Sequence, residues 1–237
     1  MKKYELTAEF IEQWGKKLFR IKALISFGSV EAGELGGYVE KEDNLAQDGD
    51  AWVCDDAWVY GNARVYGNAR VYGNARVYGN ARVCGNARVC DDAWVYGNAR
   101  VYDDAWVYGN ARVYGNARVY GNAWVYDDAW VYGNARVYGN ARVCGNAEVC
   151  GNADYLLIGR IGSRFSFTTF FKNKDKGITV SCGCFLGTIA EFRAKVTDTH
   201  GNNKHAKMYN LAADMAELQI LGEEHFDKLN TNKSEPF

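Results

Sequence analysis

The sequence predicts a mainly β protein, a parallel β-helix of six-residue repeats with a small unit at each end. Three observations predict it. Gly49 to Leu156 divides into eighteen consecutive six-residue units with no insertion, and strict periodicity of this kind marks a repeat architecture. The units open on Gly-Asn or Asp-Asp (the first on Gly49-Asp50), residue types that tolerate the positive φ of a tight turn. The remaining four positions, Ala-Arg-Val-Tyr in the consensus, alternate small or apolar with large. Alternation with a period of two is the pattern of a strand with one buried face.

The alternation assigns the interior. Ala and Val point inward, because Arg and Tyr cannot all fit inside a narrow coil. Four units read Asp-Asp-Ala-Trp-Val-Tyr, starting at Asp55, Asp91, Asp103 and Asp127. Glycine is high at 26 residues and proline nearly absent at 1, yet 48% of residues are hydrophobic. That bias belongs to a repeat rather than to a disordered tract.

The hexads resemble the left-handed parallel β-helix of hexapeptide-repeat proteins, in which an aliphatic residue and a small residue two positions earlier fill a triangular prism. Val and Ala hold those positions here. The resemblance implies three hexads per coil, hence about six triangular coils, and at ~4.8 Å per layer a prism roughly 29 Å long. It also implies that residues eighteen apart lie over one another.

On that register the outside sorts into faces. An arginine face carries Arg64, Arg82, Arg100, Arg118 and Arg136, ending in Asp154 and flanked by Tyr66, Cys84, Tyr102, Tyr120 and Tyr138. A second face alternates Trp58, Arg76, Trp94, Arg112 and Trp130, ending in Glu148, a cation–π ladder. The third is mixed: Trp52, Arg70, Arg88, Trp106, Trp124, Arg142. The acidic pairs at Asp55, Asp91 and Asp127 share one edge, between the third and second faces, which sets them opposite the arginine face. Two readings of that face stand side by side. Arg stems can pack on Tyr rings and solubilise the prism. Alternatively, an aligned Arg and Tyr surface recognises an anionic partner. The ~4.8 Å layer spacing is shorter than the phosphate repeat of a nucleic acid strand, so an acidic protein surface or a nucleotide ligand fits as well as a nucleic acid does.

A β-helix exposes an apolar cross-section and strand edges at its ends, so both need caps. Residues 1–48 are expected to supply an N-terminal helix and an irregular first coil. Phe10, Ile11, Trp14, Leu18 and Ile21 have helical spacing over Glu9–Ile25, with Thr7 near the start. Leu35 to Val53 is similar to the lead-in of hexapeptide-repeat proteins of phage and prophage type. The repeat occupies 49–156. Residues 157–237 are expected to form a small α+β unit, similar to the C-terminal part of the same phage-type proteins. Its two strands, FSFTTFF and GITVSCGCF, are joined by a turn at Lys172–Lys176. Two helices follow, Gly187–Thr199 stopped by Gly201, and His205–Leu221 with Met208, Leu211, Met215 and Leu218 at core spacing.

Candidate chemistry is sparse. Cys182 and Cys184 with His200 and His205 could make a zinc site, since Cys and His are the usual ligands. The alternative is a strand cysteine pair beside surface histidines. Otherwise no cofactor is expected. The resemblance implies an acyl-coenzyme A-dependent acyltransferase in many of its members, with a general-base His on the coil. Residues 49–156 contain no His; His200, His205 and His225 all lie beyond them. No phosphate-binding or dinucleotide fingerprint is present. Seven cysteines with no compact framework, and no apolar run behind the opening MKKYELTAEF, suggest reduced thiols and a cytoplasmic setting without membrane insertion. A formal net charge of −1 selects no partner class.

The expectation is a non-catalytic binding protein of phage type. Its partner would be a host protein, nucleic acid or anionic ligand, bound to inhibit a host-defence component in the host cytoplasm. A virion or tail structural role is the alternative, and the terminal units could support a homo-oligomer.

Overall fold

The computed structural model describes residues 2–224; His225 lies outside them. The hexads form a parallel β-solenoid of about six turns. Seventeen two-residue strands, from Trp52–Val53 to Glu148–Val149, each consist of the fourth and fifth residues of a hexad. Every pairing among these seventeen strands joins residues eighteen apart: Arg82 pairs with Arg100, Arg100 with Arg118, and Trp94 with Arg112. The three columns of strands make three parallel sheets.

Packing follows from the repeat. From Ala51 to Val149, every Ala and Val at an interior position is fully buried. Ladder hydrogen bonds close each layer on the next, as in Trp94 N–H to Ala111 O at 2.9 Å and Tyr96 N–H to Val113 O at 3.0 Å. From Gly49 to Gly145 the first residue of each hexad has positive φ, whether Gly or Asp. Gly73 shows the second constraint, because a Cβ there would sit 2.9 Å from the Asp91 backbone nitrogen one coil away.

The Asp-Asp units stitch coils together in both directions. Asp55, Asp91, Asp103 and Asp127 each accept an N–H from the glycine one coil on, at 2.9–3.2 Å. Asp92, Asp104 and Asp128 accept an Asn side-chain N–H from one coil back, at 2.9–3.1 Å. Alternation of Asp-Asp with Gly-Asn along one edge keeps carboxylates from stacking on carboxylates, which at ~4–5 Å would cost about 1 kcal/mol per pair even in water.

The N-terminal cap corrects the sequence expectation. Glu9–Ile25 is no helix; β1 (Tyr4–Gln13) and β2 (Lys16–Ala23) form an antiparallel hairpin. Trp14 and Gly15 both have positive φ at its turn, the conformation that two-residue hairpin loops favour. β2 pairs with β3 (Leu35–Val39), and β3 lies parallel on the first rung, Tyr38 on Trp58. The solenoid therefore begins before Gly49, with Tyr38–Val39, Leu45 and Trp52–Val53 as its first coil. Tyr4, Ile21, Val30 and Trp52 plug the open cross-section. The Lys3 ammonium donates to the carbonyls of Asp48, Gly49 and Ala51, which have no rung beyond them.

At the other end the eighteenth hexad leaves the coil. Tyr155 stands at the Val position and is too large for the prism. Asp154 turns back to accept the N–H groups of Cys150 and Gly151 at 2.9 and 2.8 Å. Tyr155 opens β4 (Tyr155–Ile161), which joins β5 (Ser166–Lys172), β6 (Ile178–Cys182) and β7 (Phe185–Thr188) in an antiparallel sheet. The sheet thus has four strands where the sequence suggested two. Its side chains divide: Phe171 and Tyr155 join the solenoid core, while Phe170, Ile178 and Val180 face the helices. α1 (Ile189–His200) starts on a Thr188–Glu191 capping box. α2 (Lys204–Leu221) starts on Asn203, whose side chain accepts two backbone N–H groups. The face of α2 expected to be core is not: Ala206, Tyr209, Ala212, Ala213 and Ala216 are buried, whereas Met208, Leu211, Met215 and Leu218 are exposed. Among the described residues, no helix is long and apolar enough to cross a membrane.

Candidate functional site

The arginine face is the five-stranded sheet, from Arg64 to Arg136 in unbroken register. Val alternates inward at every rung, so the guanidinium stems can only point out. None of these five arginines makes an ion pair among the described residues. Arg64, Arg82, Arg100 and Arg136 are exposed, and Arg118 is half-buried. One border is a ladder of carboxamides running from Asn62 through Asn80, Asn98 and Asn116 to Asn134, each link 3.1–3.2 Å. The other border is the tyrosine column. Tyr102 stacks on Tyr120 at 4.9 Å and Tyr120 on Tyr138 at 5.4 Å, while Tyr66 and Tyr138 at its ends are exposed.

Both ends of this face are walled. Glu42, Asp43 and Gln47 enclose a hollow of about 410 Å³ with Arg64, Tyr66 and Arg82. Tyr155, Leu157 and Gln219 enclose one of about 420 Å³ with Arg136 and Tyr138. The result is a trough closed by the two caps. Neighbouring guanidinium groups one layer apart repel by roughly 1 kcal/mol per pair in water, and among the described residues no ion pair to any of the five arginines offsets it.

The second face behaves differently. Arg76 lies between Trp58 and Trp94, 4.5 and 5.1 Å from their rings. Arg112 lies between Trp94 and Trp130 at 5.1 and 5.3 Å. These guanidinium groups are already held by ring faces, each contact contributing about 0.5–1 kcal/mol when exposed. Trp14 of the hairpin turn and Lys174 of the C-terminal sheet cover the two ends of this ladder. The alternation of Trp and Arg is a structural clamp between coils, and this face presents little free cation to a partner.

The proposed metal residues do not converge. Among the described residues there is no group of three or more His, Cys, Asp or Glu side chains able to hold a metal ion. Cys182 Sγ lies 3.1 Å from the Thr168 hydroxyl, and Cys184 is exposed beyond the strand end. The His200 and His205 rings are 5.8 Å apart at the junction of the helices. Cys182 and His200 instead line a hollow of about 340 Å³ with Arg164, Phe192 and Tyr209. The described cysteines are all unpaired. Burial pushes the thiols of Cys90 and Cys144 upward in pKa, and that of Cys54 to about 11.

One feature escapes sequence reading. A cleft of about 620 Å³ separates the third solenoid face from the C-terminal sheet. Trp106, Trp124 and Arg142 form one wall, Ser166, Phe167 and Ser181 the other. The two indoles stack at 5.4 Å, with Arg88 over Trp106 and Arg142 over Trp124 at 4.7 and 4.8 Å. Asn122 and Asn140 at its rim make no side-chain hydrogen bond among the described residues, although Asn68 and Asn86 of the same column do. The sequence signal was present in two tryptophans eighteen residues apart, where the second face interposes an arginine. The opposing wall could not be read, because it comes from strands whose place depends on the cap.

Comparison with known proteins agrees with the repeat. Eight overlapping segments between residues 57 and 145, from 57–73 to 129–145, match the family described as YdcK beta solenoid repeat. No curated protein matches the chain. With the eighteen-residue register, the Ala/Val interior and the segment matches together, the chain is a β-solenoid repeat protein.

Proposed function

We propose that the arginine trough is a non-catalytic docking surface for an acid-rich segment of a partner protein. The observation that carries this reading is the column of five in-register arginines with no carboxylate partner among the described residues, on a molecule whose Arg76 and Arg112 are instead held between tryptophan rings. Walls at both ends favour a partner of limited length over a continuous duplex. Four layer steps span ~19 Å, about six residues of extended chain or three and a half turns of helix. The resemblance of the lead-in to phage-type proteins extends the reading: the partner is a component of a bacterial host, and occupying its acidic segment blocks a host-defence activity in the host cytoplasm.

The test is charge reversal. Arg100→Glu with Arg118→Glu places two carboxylates at the middle of the trough on exposed or half-exposed positions. Capture of the partner from a host lysate, read by mass spectrometry, should be lost while the circular dichroism spectrum is kept. Undiminished capture removes the trough from the proposal. Co-sedimentation of the chain with virions would favour the structural alternative, and turnover of acyl-coenzyme A would favour the transferase.

A further inference from the structure

We infer that α2 is the interface of a homodimer, pairing antiparallel with the α2 of a second copy. Four large apolar side chains lie along its solvent face: Met208, Leu211, Met215 and Leu218, 40%, 63%, 57% and 45% exposed. Their spacing is three, four, three, the a/d seam of a helix pair. The opposite face is already committed, with Tyr209, Ala213 and Ala216 buried against α1 and the sheet. A contiguous exposed stripe of this kind marks an interaction site, unlike apolar residues scattered singly.

The charges identify the occupant. Lys204 and Lys207 are exposed at the start of α2, and Glu223 and Glu224 are exposed just past its end. None of the four makes an ion pair among the described residues. The intervening acids are taken: Arg193 of α1 holds both Asp214 and Glu217 at 2.7 Å. The free charges thus run positive to negative along the seam. A two-fold axis near Ala213 lays Met208 against Leu218 of the second copy and Leu211 against Met215. The same operation sets the lysine end of each helix against the glutamate end of the other. Such a surface is complementary to itself, as a two-fold interface requires. A parallel arrangement would set like charges side by side. Antiparallel pairing also opposes the two helix dipoles favourably.

Four seam residues per helix make a small interface, so dissociation in the micromolar range is expected. Sedimentation equilibrium on the full chain should show a concentration-dependent dimer. Leu211→Glu or Met215→Glu changes a residue exposed in the monomer, so folding is kept, and each should weaken association about thirtyfold or more. Lys204→Glu with Lys207→Glu should weaken it, as should Glu223→Lys with Glu224→Lys. The four changes together restore the complementarity with its sign reversed and should recover the dimer. A chain that stays monomeric at all concentrations, or a dimer indifferent to Leu211→Glu and Met215→Glu, overturns the inference. Failure of the fourfold variant to recover overturns the antiparallel orientation. Dimerisation only after removal of residues 225–237 overturns it also, by assigning the stripe to the chain's own tail. Association through α2 is independent of the trough, and variants of either surface should leave the other's readout unchanged.

Discussion

Deleting one hexad should break the arginine column of the trough, whereas deleting three should keep it in line. Removing residues 97–102 shifts every later residue back by a third of a coil. Arg82 then lies beneath Trp106, and the column reads Arg64, Arg82, Trp106, Trp124, Arg142. Arg118 and Arg136 move onto the face of Trp58 and Arg76. Removing residues 85–102 takes out a whole coil and sets Arg118 directly on Arg82, so four arginines remain in line. Both variants keep an Ala/Val interior, because every hexad supplies the same one. Both cuts fall between the reach of the caps, which extend to Arg76 on one side and Asp104 on the other. An exposed Arg–carboxylate contact contributes about 0.2–1 kcal/mol. The one-hexad deletion leaves three arginines in the column, so a net loss of two costs ~0.4–2 kcal/mol, a roughly 2- to 30-fold loss of affinity, whereas losing one costs at most about 5-fold. Fluorescence anisotropy of a labelled oligo-glutamate titrated at low salt reads the difference. Equal affinities for the two deletions would refute both the register and the trough.

Further outcomes follow from single residues. Val101→Ala opens a void in a layer with no room to relax, since Val83 and Val119 are also fully buried, and should cost about 2 kcal/mol in urea unfolding. Asp91→Ala should destabilise by about 1 kcal/mol more than Asp91→Gly in the same assay. Both lose the bond to Gly109, but only alanine is strained at φ 58°. At pH 8 a thiol reagent should label exposed Cys184 long before Cys54, Cys90 or Cys144, whose thiols burial holds protonated; mass mapping gives the order. Burial opposes ionisation of Glu40, but bonds from the Lys16 ammonium and the Gly61 N–H, both 2.6 Å, override it and lower its pKa. Its contribution is therefore present above the ordinary carboxylate pKa and lost as pH falls through the lowered one. Glu40→Gln should flatten the acid limb of thermal stability between about pH 5 and 3.

The solenoid was legible because side-chain size alone decides it: only Ala and Val fit inside, and they recur without a slip. The arginine column and the tryptophan ladder follow by counting. The hairpin was not legible, since Phe10, Ile11, Trp14, Leu18 and Ile21 satisfy a helical period as well as a strand's. What decided it was tertiary, the unpaired edge of the first coil, where β3 offers β2, and β2 then offers β1, a ladder to join. The Trp14-Gly15 turn was the one local clue. Tyr155 at a Val position announced the end of the coil, but not that it would begin a new sheet. The same limit applies to α2, where spacing showed an apolar stripe but could not say which of two faces the sheet would claim. It applies again to the cleft, one wall of which was countable and the other not.

The caps have a consequence for the fate of fragments. A piece cut down to the hexads alone would present bare peptide groups and an open hydrocarbon bore at both extremities, each an excellent template for its own kind. Such pieces should polymerise end to end into filaments with the ~4.7–4.8 Å meridional repeat of cross-β fibres. Lys3, Tyr4, Tyr155 and Phe171 are thus what keeps a potentially endless structure a finite molecule.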